Sequence, residues 1–285
     1  MLREILFDIA PELLESPAVK DLLNELSLHE INYVFSGKTE PTCAALLQAL
    51  AQPSGDCLML TASAAGIAFA RKTGLASIGY APPEGTEDMS GAYALFEDFS
   101  SIDAAYLCRT HAHAMGYPAD ILSTERLLVR ELSEEDFPAL YAMCTEPSTA
   151  FFMEETLSDY DTEFEKHAAY LRTVYPFFDL ALWGVYEKSS GKLIGRAGFS
   201  LPEDESDTFS IGYLIDVPYR RCGYAKELIP ALLSYAKEQG YTEISARIKK
   251  DNIPSVKALE QCGYPYECTE DAGKETLTFF IYLTA

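Results

Sequence analysis

The chain has 285 residues, 48% hydrophobic and 23% charged, with 44 acids against 22 bases and a formal net charge of −22. That length suits one large or two ordinary globular domains, and the acid excess argues against nucleic-acid binding, which needs a basic face. No apolar run reaches the ~18 residues of a membrane span, and the acids within MLREILFDIAPELLESP argue against a secretory leader.

The first ~118 residues alternate apolar strand-like runs with helical ones, as α/β units do. Strands are expected at Glu4–Phe7, Ile31–Phe35, Cys57–Leu60 and Leu75–Tyr80, and helices in SPAVKDLLNELSL, PTCAALLQALA and AAGIAFARKTG, the last closed by Gly74. YAPPEGTEDMSGAY is turn chemistry, Ala104–Met115 is one more helix, and residues 116–123 read as a linker. The second half reads β-α-α-β-β-β-α-β-α-β-β. It opens on the strand RLLVREL and a helix capped from Ser133, with Glu135 and Asp136 in the first turn. TEFEKHAAYLRTVY is the second helix, and a hairpin turns around Ser189–Gly191. The strand FSIGYLID, the helix Ala225–Gln239, the strand EISARI, the helix Pro254–Cys262 and the strand LTFFIYL complete the chain.

The stretch VPYRRCGYAKELIPALLSYAKEQGY places two arginines and a glycine before an amphipathic helix whose Leu228, Ile229, Leu232, Leu233 and Ala236 share one face. Gly223 lacks a Cβ, so a ligand can approach its backbone. The turn Arg221–Ala225 then offers consecutive N–H groups at the positive end of the helix dipole, a seat for an anion. Alone, the same residues read equally as a glycine-enabled turn beside solvated arginines.

About 28 residues beyond Gly223 comes KKDNIPSVKALEQCGY, with Asn252 as N-cap, Pro254 in the first turn and Gly263 after the end. Together with the element order, these motifs resemble the GNAT superfamily of acetyl-CoA-dependent N-acetyltransferases over residues ~123–285. TERLLVRELSEEDFPAL is similar to the opening of the subfamily that acetylates N-terminal amines of ribosomal proteins. The resemblance implies acetyl-CoA as cosubstrate and an amine acceptor. It implies a coenzyme A diphosphate on Arg220, Arg221, Cys222, Gly223, Tyr224 and Ala225, a pantetheine arm along Leu214, Ile215, Asp216 and Val217, and further contacts from Asn252 and Ser255. The chain departs from the family at three places. Pro230 interrupts the cofactor helix, where it costs a backbone hydrogen bond. Leu259 stands where many relatives carry a tyrosine general acid, and Ser210 where many carry a glutamate.

Acetyl transfer to an amine needs a neutral nucleophile, a polarised thioester carbonyl and a route for the proton. Glu154, in the acidic loop FFMEETLSD, is the expected catalytic group; Glu155, Tyr213, Tyr264 and Tyr266 are alternatives, and a solvated loop or packed aromatics are their structural readings. His111 and His113 read as structural residues at a helix end, and His29 and His167 stand alone on helical stretches. Seven cysteines (Cys43, Cys57, Cys108, Cys144, Cys222, Cys262 and Cys268) without a C-x-x-C pair read as reduced, buried thiols of a cytoplasmic protein, and no metal is expected. The acid excess suits a cationic substrate such as an amine and serves solubility equally well.

The N-terminal stretch resembles the Rossmann-like core of haloacid dehalogenase-type hydrolases. Asp8 ends the first strand and Lys38 matches the family's lysine, but Ala10, Thr61 and Ala62 replace its other acids and glycine. A Mg²⁺-dependent carboxylate nucleophile cannot work with one acid of three. The expected architecture is therefore α/β in two domains. Residues 1–118 form a Rossmann-like, parallel-sheet domain without catalysis. Residues 119–285 form a GNAT fold with a mixed, splayed central sheet flanked by helices. The expected function is acetyl transfer from acetyl-CoA to a primary amine of a small molecule or peptide, with no nucleic-acid or membrane partner. The rivals are an acyl-CoA-binding regulatory module without turnover and, less favoured, a phosphatase.

Overall fold

The computed structural model describes residues 2–36, 54–153, 157–178, 180–200, 208–270 and 275–283. The chain divides into two compact units, Met1–Ala119 and Asp120–Ala285.

In the first unit, β1 (Glu4–Asp8), α1 (Pro17–Leu28), β2 (Asn32–Phe35), β3 (Cys57–Thr61), α2 (Ala64–Thr73), β4 (Ala76–Tyr80), β5 (Ala94–Phe96) and α3 (Ala104–Ala114) follow in order. The strands form one wholly parallel sheet in the order β2-β1-β3-β4-β5. Such a sheet is covered on both faces, which is why EILF and CLML are apolar without alternation. Ile5, Phe7, Leu58 and Leu60 pack in one cluster with Val19, Leu22 and Leu26 of α1, whereas Leu6 and Met59 pack with Phe69 and Ala70 of α2. Local chemistry sets the helix ends: Ser16 and Asp103 accept from the N–H groups of Val19 and Tyr106, and Gly74 closes α2 at φ 71°. The expected helix PTCAALLQALA lies outside the described residues.

The second unit runs β6 (Asp120–Ser123), β7 (Leu127–Arg130), α4 (Phe137–Thr145), α5 (Pro147–Ala150), α6 (Tyr160–Thr173), β8 (Leu182–Glu187), β9 (Leu193–Ser200), β10 (Ser210–Ile215), α7 (Tyr224–Glu238), β11 (Glu243–Lys249), α8 (Ile253–Glu260), β12 (Tyr266–Glu270) and β13 (Thr276–Tyr282). Its eight strands form one mixed sheet, β12-β13-β11-β10-β9-β8-β7-β6. Only the β10–β11 pair is parallel. The expected linker 116–123 is corrected in part: Asp120–Ser123 pairs with β7 as the edge strand. A four-residue edge strand depends on its neighbour rather than on its own pattern. The Ser133–Asp136 cap is present, with Ser133 N–H and Oγ both donating to Asp136 Oδ2 at 2.8 Å, and it opens a 3₁₀ turn before α4.

Leu228, Ile229, Leu232, Leu233 and Ala236 are all fully buried, so α7 packs its whole apolar face on the sheet. Tyr235 meets Trp183 edge-on at 5.5 Å. The helix continues through Pro230. The ring has no N–H to give the Lys226 carbonyl, a loss that the packing of the buried face outweighs. Among the described cysteines Cys57, Cys144 and Cys262 are buried, but Cys222 and Cys268 are exposed, which corrects the reading of all seven as core thiols.

His111, in the last turn of α3, is 1% exposed, and its Nε2 has no hydrogen-bond partner among the described residues. Burial holds its pKa below the usual 6.5. The folded unit therefore favours neutral imidazole: His111's contribution is complete above pH 6.5 and is lost as the pH falls from there through the depressed folded value. Thermal unfolding of the first unit between pH 7.5 and 5 checks this. His111→Leu should flatten the acid-side fall of the midpoint, and an unchanged slope would contradict it.

Candidate functional site

Strand β10 pairs with β9 along its full length, from Ser210 opposite Ser200 to Ile215 opposite Gly195. Its other edge meets β11 at one register, Ser210 opposite Ser245, after which the two strands part. Between them opens a cavity of about 1040 Å³ lined by Ile211–Ile215 of β10, Ala246–Lys249 of β11, the turn before α7 and the first turns of α8. A Cβ built on Gly212 would meet nothing within 4 Å, so the strand surface faces open space. The backbone edge of β10 beyond Ser210 is thus available to a ligand.

At the end of β10 the chain makes a short 3₁₀ turn, Val217–Tyr219, capped by Asp216 Oδ1, which accepts from Val217 N–H at 2.7 Å. Arg221 at φ 62° and Gly223 at φ 84° then lie in the left-handed region. This backbone bends the chain so that Gly223 becomes the N-cap of α7 without a side chain over the helix end. Among the described residues no acceptor within the protein takes the backbone N–H groups from Arg221 to Lys226. They are the free donors of a helix N-terminus, where the helix dipole favours negative charge.

The turn is braced from β7's side. Arg126 Nη1 donates to the Cys222 carbonyl at 3.0 Å and its Nε to Glu227 Oε2 at 2.7 Å, while its guanidinium lies 4.5 Å over the Tyr224 ring. Glu227 Oε1 also accepts from Thr124 Oγ1 and Arg126 N–H. Tyr224 Oη donates to Glu187 at 2.5 Å, which ties the first residue of α7 to the end of β8.

The expected cofactor residues divide accordingly. Leu214, Ile215, Arg220, Arg221, Gly223, Tyr224, Ala225, Asn252 and Ser255 line the cavity; Asp216, Val217 and Cys222 stand outside its lining. Asn252 caps α8, its Oδ1 accepting from Ser255 N–H at 3.4 Å. The Arg220 guanidinium is engaged elsewhere: Nε donates to the Ile215 carbonyl at 2.8 Å, Nη1 to Ser148 Oγ at 2.8 Å and Nη2 to Thr149 Oγ1 at 2.5 Å. Arg221 is exposed and has no side-chain partner among the described residues. Glu154 and Glu155 lie outside the described residues. Leu259 is 2% exposed and lines the cavity, and Ser210 sits at the one β10–β11 register. Tyr213 lines the cavity and is bonded to the Ser255 side chain; burial pushes its phenol above the usual range. Tyr264 is half-buried, and Tyr266 stacks on Phe279 at 5.5 Å.

Sequence reasoning missed the charge of the cleft. Its described lining carries six basic side chains (Arg220, Arg221, Lys226, Arg247, Lys249 and Lys257) and no carboxylate, in a chain with two acids for every base. The alternation of Arg247 and Lys249 along β11, flanking the buried Ile248, was the available signal. The arrangement can hold a ligand with concentrated negative charge at the helix terminus and an extended arm along the strand edge.

The first unit has its own polar cluster at the C-terminal strand ends. Asp8 Oδ1 accepts from Ser36 Oγ at 2.8 Å, and Oδ2 from Thr61 Oγ1 at 2.7 Å and Ser63 Oγ at 3.1 Å. A Cβ on Gly66 would lie 2.1 Å from Thr61 Oγ1 and 2.6 Å from Asp8 Oδ2, so α2 leaves no space over the carboxylate. Among the described residues no three His, Cys, Asp or Glu side chains come together as metal ligands.

Residues 126–265 match the family model of the acetyltransferase (GNAT) domain. The chain is 26% identical over 152 residues to YoaA, an uncharacterized N-acetyltransferase of Bacillus subtilis, covering 52% of this chain and 84% of that protein. It is 25% identical over 155 residues to p20, an uncharacterized N-acetyltransferase of Bacillus licheniformis, again covering 52% and 84%. A solved acetyltransferase from Agrobacterium tumefaciens superposes with a TM-score of 0.48 at 21% identity, over 56% of this chain and 92% of that one. Over residues 126–265 the chain carries a GNAT acetyltransferase domain, whose chemistry is acetyl transfer from acetyl-CoA to an amine.

Proposed function

We propose that acetyl-CoA binds in the cleft between β10 and β11 with its diphosphate on the turn Arg221–Ala225, and that the acceptor is a primary amine of a small molecule or the N-terminus of a peptide. The observation that carries this reading is a cleft whose described lining is basic and holds no carboxylate, ending at helix N–H groups that no described acceptor takes, within a chain of net charge −22. A diphosphate is the anion such a terminus suits, and the cavity is of the size that cofactor sites have, ~300–1,000 Å³. The pantetheine arm follows the free edge of β10 through Leu214 and Ile215. Asp216 and Val217 add little, because the Val217 N–H is already taken by Asp216. The Arg221 side chain and Lys226 supply charge at the turn, and Asn252 and Ser255 line the opposite wall. The similarity of TERLLVRELSEEDFPAL to enzymes acting on ribosomal-protein N-termini favours a peptide amine over a free metabolite.

The proton leaving the amine passes to Glu154, directly or through water. Ser210 and Leu259 offer no acid or base, and burial makes the phenol of Tyr213 too weak an acid to part with its proton readily, the bond with Ser255 offsetting this only in part. The first unit is an inactive, haloacid dehalogenase-like core kept for binding, stability or assembly: Asp8 is held by three hydroxyls under Gly66, with Ala10 and Ala62 where acids would be needed. Lys38 lies outside the described residues. A cytoplasmic location is the reading suggested by seven scattered cysteines without a C-x-x-C pair, and no described helix is long and apolar enough to cross a membrane.

Gly223→Val tests the placement. Its φ of 84° strains a β-branched residue, and the new side chain stands over the N–H groups. Each hydrogen bond to a charged group is worth about 1.5–3 kcal/mol, so coenzyme A affinity by calorimetry should fall roughly 10- to 100-fold or more. Unchanged affinity in a folded variant would refute the site.

Acetyl-CoA offered with a panel of small amines and free-N-terminus peptides should release thiol in proportion to the amine; no release with any amine would remove the acceptor class. With the fastest amine, Glu154→Gln should lower the rate by about 10²–10⁴-fold and spare coenzyme A binding. A parent-like rate would leave Glu154 a solvated loop residue.

A further inference from the structure

One wall of the cleft is the segment Pro147–Met153, of which Ser148, Thr149, Phe152 and Met153 line the cavity. The segment is a single helical turn, α5, continued by further turns; the N–H groups of Thr149 and Ala150 donate to the Glu146 carbonyl, and those of Phe151, Phe152 and Met153 to carbonyls within the segment. Such a short helix does not hold itself in water. Two cations grip it from the two strands that part beneath it. Arg220, after β10, donates to the Ser148 and Thr149 hydroxyls, and its third bond, to the Ile215 carbonyl, fixes the guanidinium on the strand end. Lys249, at the end of β11, donates from Nζ to the carbonyls of Phe151 at 2.6 Å and Met153 at 3.3 Å, and lies 5.5 Å over the Phe151 ring. Glu146 completes the hold by accepting from both hydroxyls and from Thr149 N–H; the Ser148 hydroxyl, first among these, draws its carboxyl below the usual range.

On the reading that this cleft takes acetyl-CoA and an amine, we infer that Arg220 and Lys249 are positioning residues: they strap Pro147–Met153 across the parted strands as the acceptor-side wall, and Arg220 does not serve the diphosphate. Three of the five N–H donors of Arg220, one from each nitrogen, are committed to Ile215, Ser148 and Thr149, which fixes the guanidinium on the segment, whereas Arg221, one residue on, is exposed and without a side-chain partner among the described residues. Because the same backbone turn carries Arg220 and the N–H seat, the wall and the cofactor site are built on one short stretch of chain.

Arg220→Gln and Lys249→Met in the full chain test this. Hydrogen exchange followed by mass spectrometry should show the amides of 149–153 opening roughly tenfold or more faster in each variant, since each loses its hydrogen bonds to the segment. Calorimetric affinity for coenzyme A should stay within about threefold for Arg220→Gln, less than one charged hydrogen bond is worth. Both readouts are independent of the acceptor, so they stand even if the amine panel yields no turnover. With the fastest amine of the panel, KM for the amine should rise while KM for acetyl-CoA holds. Arg220→Lys, which keeps the charge but not the fork, should also loosen the segment, and it replaces Arg220→Gln if that variant does not fold. A fall of tenfold or more in coenzyme A affinity with exchange of 149–153 unchanged would overturn the assignment and return Arg220 to the diphosphate.

Discussion

The parting of β10 from β11 is the constraint on which the second unit is built. The two strands share one register, Ser210 opposite Ser245, and a parallel pair that stops there leaves the facing backbone edges of β10 and β11 unpaired with each other. The sheet tolerates this because each strand is secured on its other side, β10 to β9 over Ser210–Ile215 and β11 to β13 over Glu243–Lys249. Helix α7 buries Leu228, Ile229, Leu232 and Leu233 against the sheet and so fixes the turn at the cavity's end. An open edge is an aggregation risk elsewhere; here it is sunk inside a cleft, where it can pair with an extended ligand.

Charge acts locally. Beyond about 8 Å at physiological ionic strength exposed charges are largely screened, so the chain's overall acidity says little about what enters the cleft. What counts is that every charged side chain in its described lining is basic. An excess of acids favours solubility in general, and the inference from composition to a cationic substrate does not describe the cavity itself.

Much of the fold was legible because it rests on short-range chemistry. The apolar stripe of α7, the caps at Ser133 and Asn252 and the stop at Gly74 are decided within a few residues, and the structure uses each of them. Gly223 announced the turn, and its φ of 84° is the reason a glycine stands there. The features that escaped are long-range. Strand β6 exists because β7 pairs with it. Arg220 looks like a phosphate ligand in sequence, yet its partners Ser148 and Thr149 lie 72 and 71 residues away. The brace from Arg126 to Cys222 spans 96 residues. No window of sequence holds both ends of such contacts. In the first unit the pattern around Asp8 was readable, but that three hydroxyls close on its carboxylate depends on where three strand ends meet.

The central claim is that a polyanionic thioester carrier is held by a basic cleft and a helix terminus. Calorimetry of coenzyme A beside pantetheine, at low and at moderate salt, tests it most directly. Coenzyme A should bind and lose affinity as salt rises, whereas pantetheine, with the same thiol arm and no phosphate, should bind far more weakly and with little salt dependence. Equal affinities for the two, unaffected by salt, would contradict it.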